Sequence, residues 1–407
     1  MQLCVNKYML LIGLIIVLNL KGFVLLPDLP INVEDITILV EVFFWLYVIA
    51  TSRRKIEKKY GTIIALAVLL AVSSSVMAYV NYGQPLLMGI RAQRSWLMAI
   101  LMYFPLSQLI KCRKISVPQL MNMLDAINFI YMAIMIAQFI AGPNHLFLNV
   151  RNSIRYGSLR LAIAQSFLCI SYFYHLHKLL TQKKCFKSFL IIAVTLFTVI
   201  FVNKGRASTI LLIVPSVLMM LSSRLSKRKL ALIGGSILIC AIFLSSSFGT
   251  LFLDSIFGET STDAGTLIRE VGRVFYMDRV LSSPLNTIFG CGFANIDWPA
   301  TYVGIRYGEG ITYNDNGIYG LIFYYGFSMV VWIVVFTLWL MHDSWKSGKK
   351  IYVFMLLRSL LGLMTLFPEC YTTNIGFALL CVIIESGENM ESDKAHALEI
   401  HPGIHKT

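Results

Sequence analysis

The chain has 407 residues, of which 57% are hydrophobic and 14% are charged. One soluble core cannot bury that much apolar surface, so the composition excludes an ordinary soluble domain and favours a polytopic membrane protein. The formal net charge of +14 would indicate an acidic partner in a soluble protein, but here the position of the charges along the chain accounts for most of it.

Apolar stretches long enough to cross a bilayer recur from end to end. A helix needs roughly 20 apolar residues to cross about 30 Å of hydrocarbon, and backbone polar groups in lipid must be satisfied within the segment. The sequence therefore predicts an all-α polytopic membrane protein with about twelve transmembrane helices. The predicted spans are 8–26, 36–50, 61–80, 95–110, 120–141, 159–177, 188–202, 207–222, 230–250, 317–341, 351–367 and 375–386.

Short basic clusters lie in alternate connections between these spans. They are Arg53-Arg54-Lys55 with Lys58-Lys59, Lys111 with Arg113-Lys114, Lys178 with Lys183-Lys184 and Lys187, Arg224 with Lys227-Arg228-Lys229, and Lys346 with Lys349-Lys350. Positive charge favours the cytoplasmic side, which predicts a multi-pass membrane protein with both termini in the cytoplasm.

This topology divides the chain into four parts. Residues 1–250 form a membrane domain of about nine helices, and 251–316 form a long external, periplasmic loop that carries short amphipathic helices. Residues 317–386 form about three further helices. The polar tail 387–407 is predicted to be disordered.

The outward connections hold charge that topology does not explain. Ten arginines and one lysine lie there: Arg91, Arg94, Arg151, Arg155, Arg160, Lys204, Arg206, Arg269, Arg273, Arg279 and Arg306. The planar guanidinium binds phosphate or carboxylate at two points, whereas lysine acts as a hydrated point charge. The arginine bias therefore predicts an anion-binding outer face.

Two of these connections have a local pattern that suits an anion. Arg269, Arg273 and Tyr276 share one stripe of a helix, which can instead lie on the outer leaflet with its basic face toward headgroups. Gly205 and Arg206 form a tight turn directly before a helix, where exposed backbone N–H groups favour an anion; an ordinary turn with an interfacial arginine is the alternative.

Other polar residues have simpler interpretations. Arg358 and Asp125 fall within predicted spans, where structural pairing is the default interpretation. Most of the eight cysteines are interpreted as small apolar side chains. Cys291 and Cys370 are both placed outside, so a disulfide between them is an option in an oxidising compartment.

The order of these residues resembles the O-antigen polymerase and ligase superfamily, and within it the Wzy-type polysaccharide polymerases. The resemblance covers about residues 155–326 and is carried by Arg155-Tyr156-Gly157, the Gly205-Arg206 turn, Arg273-x5-Arg279 running into Pro284-Leu285, Phe289-Gly290-Cys291-Gly292-Phe293, and Asn314-Asp315-Asn316-Gly317 before a span with Gly326. Two features differ from the family pattern: Tyr313 or Asn314 stands where many members have a histidine, and Arg160-Leu161 stands near the family's Asn-Pro.

The resemblance implies a metal-independent membrane glycosyltransferase of the bacterial inner membrane. It would transfer glycan from an undecaprenyl-pyrophosphate carrier to a sugar hydroxyl of another lipid-linked repeat unit, without a cofactor. Arg206, Arg273 and Arg279 would neutralise the pyrophosphate leaving group. Asp315 is the first candidate for the general base, followed by Glu309 and Glu270.

Further residues are assigned to binding, and further functions stay open. Gly205, Arg155, Arg269, Glu309 and Tyr313 would contact the pyrophosphate or the glycan. A chain-length regulator and a flippase are the expected protein partners, and no nucleic acid is expected. The alternatives are an O-antigen ligase, a flippase or transporter for the lipid-linked unit, and a scaffold subunit of an envelope complex.

Overall fold

The structure is a computed structural model that describes residues 6–20, 33–52, 57–155, 158–181, 186–222, 250, 264–313, 316–363 and 371–386. It is mostly helical. Three of the described helices are long and apolar enough to cross a membrane: Gly61–Tyr82, Val117–Ala141 and Ile318–Lys346. The structure is therefore compatible with a helical membrane protein, while the number of about twelve spans stays a prediction.

Helices occupy most of the predicted spans. In chain order the elements are α1 (Lys7–Asn19), α2 (Val33–Thr51), α3 (Gly61–Tyr82), α4 (Leu86–Ala92), α5 (Arg94–Leu101), α6 (Tyr103–Lys111), α7 (Val117–Ala141), β1 (Asn152–Arg155), β2 (Ser158–Leu161), α8 (Gln165–Thr181), α9 (Phe186–Phe197) with a π-helical turn (Thr198–Val202), α10 (Arg206–Ser222), α11 (Ala264–Leu281), α12 (Pro284–Phe289), α13 (Pro299–Gly304) with a 3-10 turn (Tyr307–Glu309), α14 (Ile318–Lys346), α15 (Lys350–Gly362) and α16 (Tyr371–Glu385). The predicted span 230–250 and the tail 387–407 lie outside the described residues.

The predicted span 95–110 is a broken helix. It is divided between α5 and α6, and Gln93 separates it from α4. Gln93 is buried, and its side-chain amide donates to the backbone carbonyls of Ala71 and Gly89 and to the hydroxyl of Ser75. A buried amide is stable in an apolar bundle when it bonds to neighbouring groups in this way. The apolar run predicts helix correctly but gives no signal of the break.

The predicted span 159–177 is wrong at its start, where a two-stranded hairpin adds a small β element to the mostly helical fold. β1 and β2 form an antiparallel hairpin in which Arg155 lies opposite Ser158 and Ser153 lies opposite Arg160. The helix that follows, α8, begins at Gln165. Arg155 and Arg160 therefore lie on strands.

Basic residues from several connections meet at one end of the bundle. Lys59 pairs with Asp343 at 2.7 Å, and Lys111 pairs with Glu385 at 2.6 Å. Lys349 donates to the carbonyls at the end of α16. These contacts join the connections before α3, after α6 and after α14, and we call this region the basic end.

The long polar interval meets the other end of α3. Gln84 is buried; its side-chain amide donates to the carbonyl of Phe293, and its carbonyl accepts from the Asn295 N–H at 2.7 Å and from the Thr301 hydroxyl. The Trp298 indole donates to the carbonyl of Tyr82 at 3.0 Å. Since α3 starts at the basic end, the interval and the basic connections are held at opposite ends of one long apolar helix.

Three glycines join this interval to the membrane helices by direct backbone contact. Gly290, Gly292 and Gly326 have φ values of +80°, +100° and +71°, a region that side chains disfavour. The Cys291 N–H donates to the carbonyl of Phe323 at 2.7 Å, where α14 bends at Gly326. A side chain on Gly292 would place its Cβ 2.1 Å from the backbone nitrogen of Ala78. Gly290 and Gly292 therefore have a structural role.

We expect Gly292→Ala to lower the free energy of unfolding by about 3 kcal/mol or more, since it adds a backbone clash to an unfavourable φ. Gly83→Ala is the matched control, because Gly83 has φ +62° but a Cβ there would meet no atom of the described residues within 4 Å. The control should cost about 1 kcal/mol. Thermal unfolding in detergent measures both, and equal losses would contradict the clash.

Candidate functional site

The β-hairpin positions arginines through simple alternation. In β2, Leu159 and Leu161 are buried and pack in one apolar cluster with Met135 and Val202. Because successive side chains of a strand point to opposite faces, Arg160 is directed away from this cluster. Burial of Leu159 and Leu161 on one face of β2 thus orients Arg160 toward the other face.

The hairpin binds the turn that precedes α10. Arg155 Nη1 donates to the carbonyl of Lys204 at 2.9 Å, and Arg160 Nε donates to the carbonyl of Asn203 at 3.0 Å. In return, Lys204 Nζ donates to the carbonyl of Arg155 at 3.0 Å and to the Ser158 hydroxyl. Arg155 and the turn at Gly205 and Arg206, predicted separately as anion sites, are therefore brought together.

Lys204 is buried at this contact between the hairpin and the turn. It is 1% exposed and has φ +50°, which is uncommon for a residue with a side chain. Burial lowers the pKa of Lys204. A lysine in the predicted outward turn is therefore used inside the protein, and the arginines around it form the boundary of the neighbouring cavity.

A cavity of about 430 Å³ lies beside the hairpin and the turn, between α5, α8, α10, α14, α15 and α16. It has a polar part and an apolar wall. The polar lining comprises Arg151, Arg160, Gln165, Asn203, Ser208 and Arg358, and the apolar wall includes Trp96, Ile100, Phe173, Trp332, Phe377 and Leu380. Such a cavity suits a molecule with an anionic group attached to an apolar chain.

Arg358 is the most informative residue of the lining. It is 8% exposed, and Nη2 lies 3.5 Å from Gln165 Oε1, the long limit of a hydrogen bond. Its Nε is buried and has no hydrogen-bond partner among the described residues. A buried guanidinium that lacks an anion is costly, so this arrangement indicates a ligand that carries negative charge.

The turn adds polar groups to the same cavity. A Cβ on Gly205 would lie 2.7 Å from Asn203 Nδ2 and 2.8 Å from Ser208 Oγ, and both of those residues line the cavity. Arg206 is the first residue of α10, and its Nε is buried without a partner in the described part of the chain. The positive end of the α10 dipole thus adds to the charge of the arginines.

A second group of predicted residues lies where α11 meets α14. A Cβ on Gly272 would lie 3.0 Å from Asn316 Nδ2, and the Arg273 guanidinium lies 5.5 Å from the ring centre of Tyr319. Asn316 is 2% exposed. Arg273 Nε and Asn316 Oδ1 are both buried without a hydrogen-bond partner within the described ranges. Arg273 therefore lies close to Asn316 and Tyr319, and the candidate base Asp315 is outside the described residues.

The remaining predicted residues are at the surface near α11. The guanidinium groups of Arg279 and Arg306 lie 5.8 Å and 5.1 Å from the ring centre of Phe275. Glu309 forms a pair with Arg306 at 3.5 Å and is mostly exposed. Arg269 is exposed on α11. These residues have the exposure expected for groups that meet a large ligand outside the bundle.

Aromatic side chains connect the two groups. Tyr313 and Phe293 have ring centres 6.4 Å apart, Phe293 and Tyr325 are 5.7 Å apart, and Tyr325 and Trp96 are 5.8 Å apart. Trp96 lines the cavity. The predicted binding residue Tyr313 is thus joined to the cavity wall through packed rings.

Several site residues have a different role from the one that the sequence predicts. The sequence predicts a structural pair for Arg358, and it marks Arg160 only as an outward arginine and a departure from the family pattern. Asp125 does have the predicted partners of a buried carboxylate: His175 Nε2 at 2.8 Å and Lys187 Nζ at 3.2 Å. It does not pair with Arg358, whose Nη2 instead lies 3.5 Å from Gln165 Oε1. Asp125 thus has two basic partners, whereas Arg358 Nε has no hydrogen-bond partner within the described residues.

Cys291 is a buried free thiol in the described part of the chain, and burial raises its pKa to about 12. Cys370, its suggested disulfide partner, lies outside the described residues. Within the described ranges, no three histidine, cysteine, aspartate or glutamate side chains come together in a way that could hold a metal ion.

Fold and site together define a mostly helical protein with three apolar helices suited to a membrane and an arginine-lined cavity between helices. No protein family model matches the chain, and no curated protein matches it significantly. The functional interpretation therefore depends on the residues of the site and on the sequence motifs.

Proposed function

We propose that the chain is a membrane glycosyltransferase, a polysaccharide polymerase of the Wzy type. Its donor would be an oligosaccharide on undecaprenyl pyrophosphate, and its acceptor a sugar hydroxyl of another lipid-linked repeat unit. The single observation that best supports this is the cavity, where the buried Arg358, whose Nε has no partner among the described residues, lies beside an apolar wall. A pyrophosphate joined to a polyprenyl chain matches both parts.

In the proposed reaction, the acceptor oxygen attacks the anomeric carbon of the donor sugar. The bond from that carbon to the pyrophosphate oxygen breaks, and the leaving group takes the electron pair. Asp315 accepts the proton of the acceptor hydroxyl. Arginines stabilise the charge that develops on the pyrophosphate, so that leaving requires no protonation.

We infer a division of roles among the arginines. Arg358 lines the cavity, where the pyrophosphate would bind. Arg206 begins α10 beside Asn203 and Ser208 of the cavity lining, and Arg155 holds their turn in place. Arg273 and Arg279 belong to α11, where Gly272 lies against Asn316. We infer that they bind the pyrophosphate oxygen that leaves the donor sugar, nearest the bond that breaks.

The membrane orientation is part of the proposal. Lysine-rich connections at the basic end would lie in the cytoplasm and hold the termini there. The cavity side of the hairpin and the interval around α11 would then face the periplasm of a bacterial inner membrane. This is the side on which lipid-linked units become available after a flippase has moved them.

The test is reconstitution of the purified protein in proteoliposomes with undecaprenyl-pyrophosphate-linked repeat units. We expect a ladder of products that contain increasing numbers of repeats, released undecaprenyl pyrophosphate, and the same ladder in the presence of a metal chelator. A single transfer to a different acceptor would favour a ligase. Intact lipid-linked units that merely cross the membrane would favour a flippase or transporter.

A further inference from the structure

Helix α11 has two apolar faces on opposite sides. Gly272, Tyr276 and Val280 recur every four residues and are buried against the start of α14. Tyr276 stacks on Phe323 of α14 with ring centres 4.5 Å apart. This inner face explains how the helix is fixed to the bundle.

The opposite face is exposed and also apolar. It consists of Leu267, Val271, Val274 and Leu281, whose exposed fractions are 63%, 45%, 63% and 61%. A helix that meets water on this side would carry polar residues there, so a contiguous aliphatic face indicates a binding partner. Asp278 lies on the same face near its end, which limits how deep the face can enter an apolar phase.

The neighbouring helices identify the partner. α12 packs between α3 and α14, two of the helices long enough to cross a membrane, and continues the exposed face with Leu285 and Ile288. Exposed Tyr79 and Val80 lie at the adjoining end of α3. The aliphatic face is thus continuous with the surfaces that the spans present to lipid.

The flanking charges fit the same partner. Arg269 and Arg279 are exposed on the side of α11 away from the aliphatic face, because Arg269 is three residues before Gly272 and Arg279 is three residues after Tyr276. With the aliphatic side chains in the upper part of the acyl chains, these arginines would lie at the level of the lipid phosphates. Tyrosine at the end of α3 is typical of the same depth in a bilayer.

We propose that α11 and α12 lie in the interfacial layer of the membrane and bind phospholipid through Leu267, Val271, Val274 and Leu281. Lipid then acts as a structural partner that holds Arg273 against α14 from the outer side. This surface is separate from the cavity and does not depend on the proposed reaction.

The experiment is photo-crosslinking of the full chain in vesicles of phosphatidylethanolamine and phosphatidylglycerol. A photoreactive benzoylphenylalanine replaces Val271 or Val274 in turn, and replaces Asp297, which is exposed in the polar interval, as the control. After irradiation, mass spectrometry identifies the adducts. We expect phospholipid adducts severalfold more abundant at the two valine positions than at the control.

Equal lipid adducts at all three positions would overturn the proposal, as would adducts formed mainly with a second protein chain. Val274→Asp supplies a second measurement, since a charged side chain in the acyl region should lower crosslinking from Val271 severalfold. Unchanged crosslinking in that variant would also contradict insertion. Because neither readout requires catalysis, failure here is distinguishable from failure of the polymerase proposal.

Discussion

Replacing Arg358 by glutamine is expected to abolish chain extension without lowering the thermal stability of the protein. The guanidinium is 8% exposed, and its Nε finds no partner among the described residues, so its burial costs free energy that a bound anion would offset. Removing the charge relieves that cost, while the pyrophosphate loses a two-point contact. We expect the rate to fall by about 100-fold or more, as when one preorganised donor is removed from a developing anion.

Two measurements together distinguish this role from a structural one. Initial rates in proteoliposomes report the reaction, and the melting temperature with and without inorganic pyrophosphate reports binding. Pyrophosphate should raise the melting temperature of the unaltered protein and have no such effect on Arg358→Gln. A variant that melts well below the unaltered protein but keeps its rate would show that Arg358 is structural.

Arg94→Gln is the matched control for loss of one outward arginine. Arg94 pairs with Asp35 at 2.9 Å and with Glu34 at 3.5 Å at the start of α5. A partly exposed pair contributes roughly 0–1 kcal/mol, so the variant should keep its rate and lose little stability. A large loss of activity in Arg94→Gln would mean that any outward arginine matters, whatever its place.

The sequence predicts the helical frame because hydropathy acts locally. The predicted ranges 61–80 and 120–141 agree closely with α3 and α7, where a continuous apolar run is bounded by polar residues and turns. The hairpin is a different case. Its second strand alternates only over Ser158–Leu161 and then runs into the apolar start of α8, so the run predicts a single helix.

The site is less predictable, because its key contacts join distant parts of the chain. The arginine bias of the outward connections marks Arg155 and Arg206, and the structure brings their segments together through the hairpin and the turn. Arg358 and Gln165 are 193 positions apart, and the sequence does not indicate that they line one cavity. Only the tertiary packing distinguishes an unsatisfied arginine from a paired one.

Replacing Arg273 or Arg279 by lysine is expected to abolish chain extension while the protein still inserts into the membrane. Lysine keeps the charge but loses the planar fork that binds an oxyanion at two points. At Arg273 it also loses the buried Nε, which has no hydrogen-bond partner among the described residues. We expect a decrease of about 100-fold or more in the initial rate.

The measurement is a glycan ladder from proteoliposomes, with membrane insertion and melting temperature followed in parallel. Arg94→Lys is the control of the same substitution type, because a lysine can still pair with Asp35 and Glu34. Full activity of both lysine variants would contradict the prediction. The ladder also locates the defect: an arginine that stabilises the transition state lowers the rate at every chain length, whereas one that only holds the glycan shortens the ladder and leaves the first transfer intact.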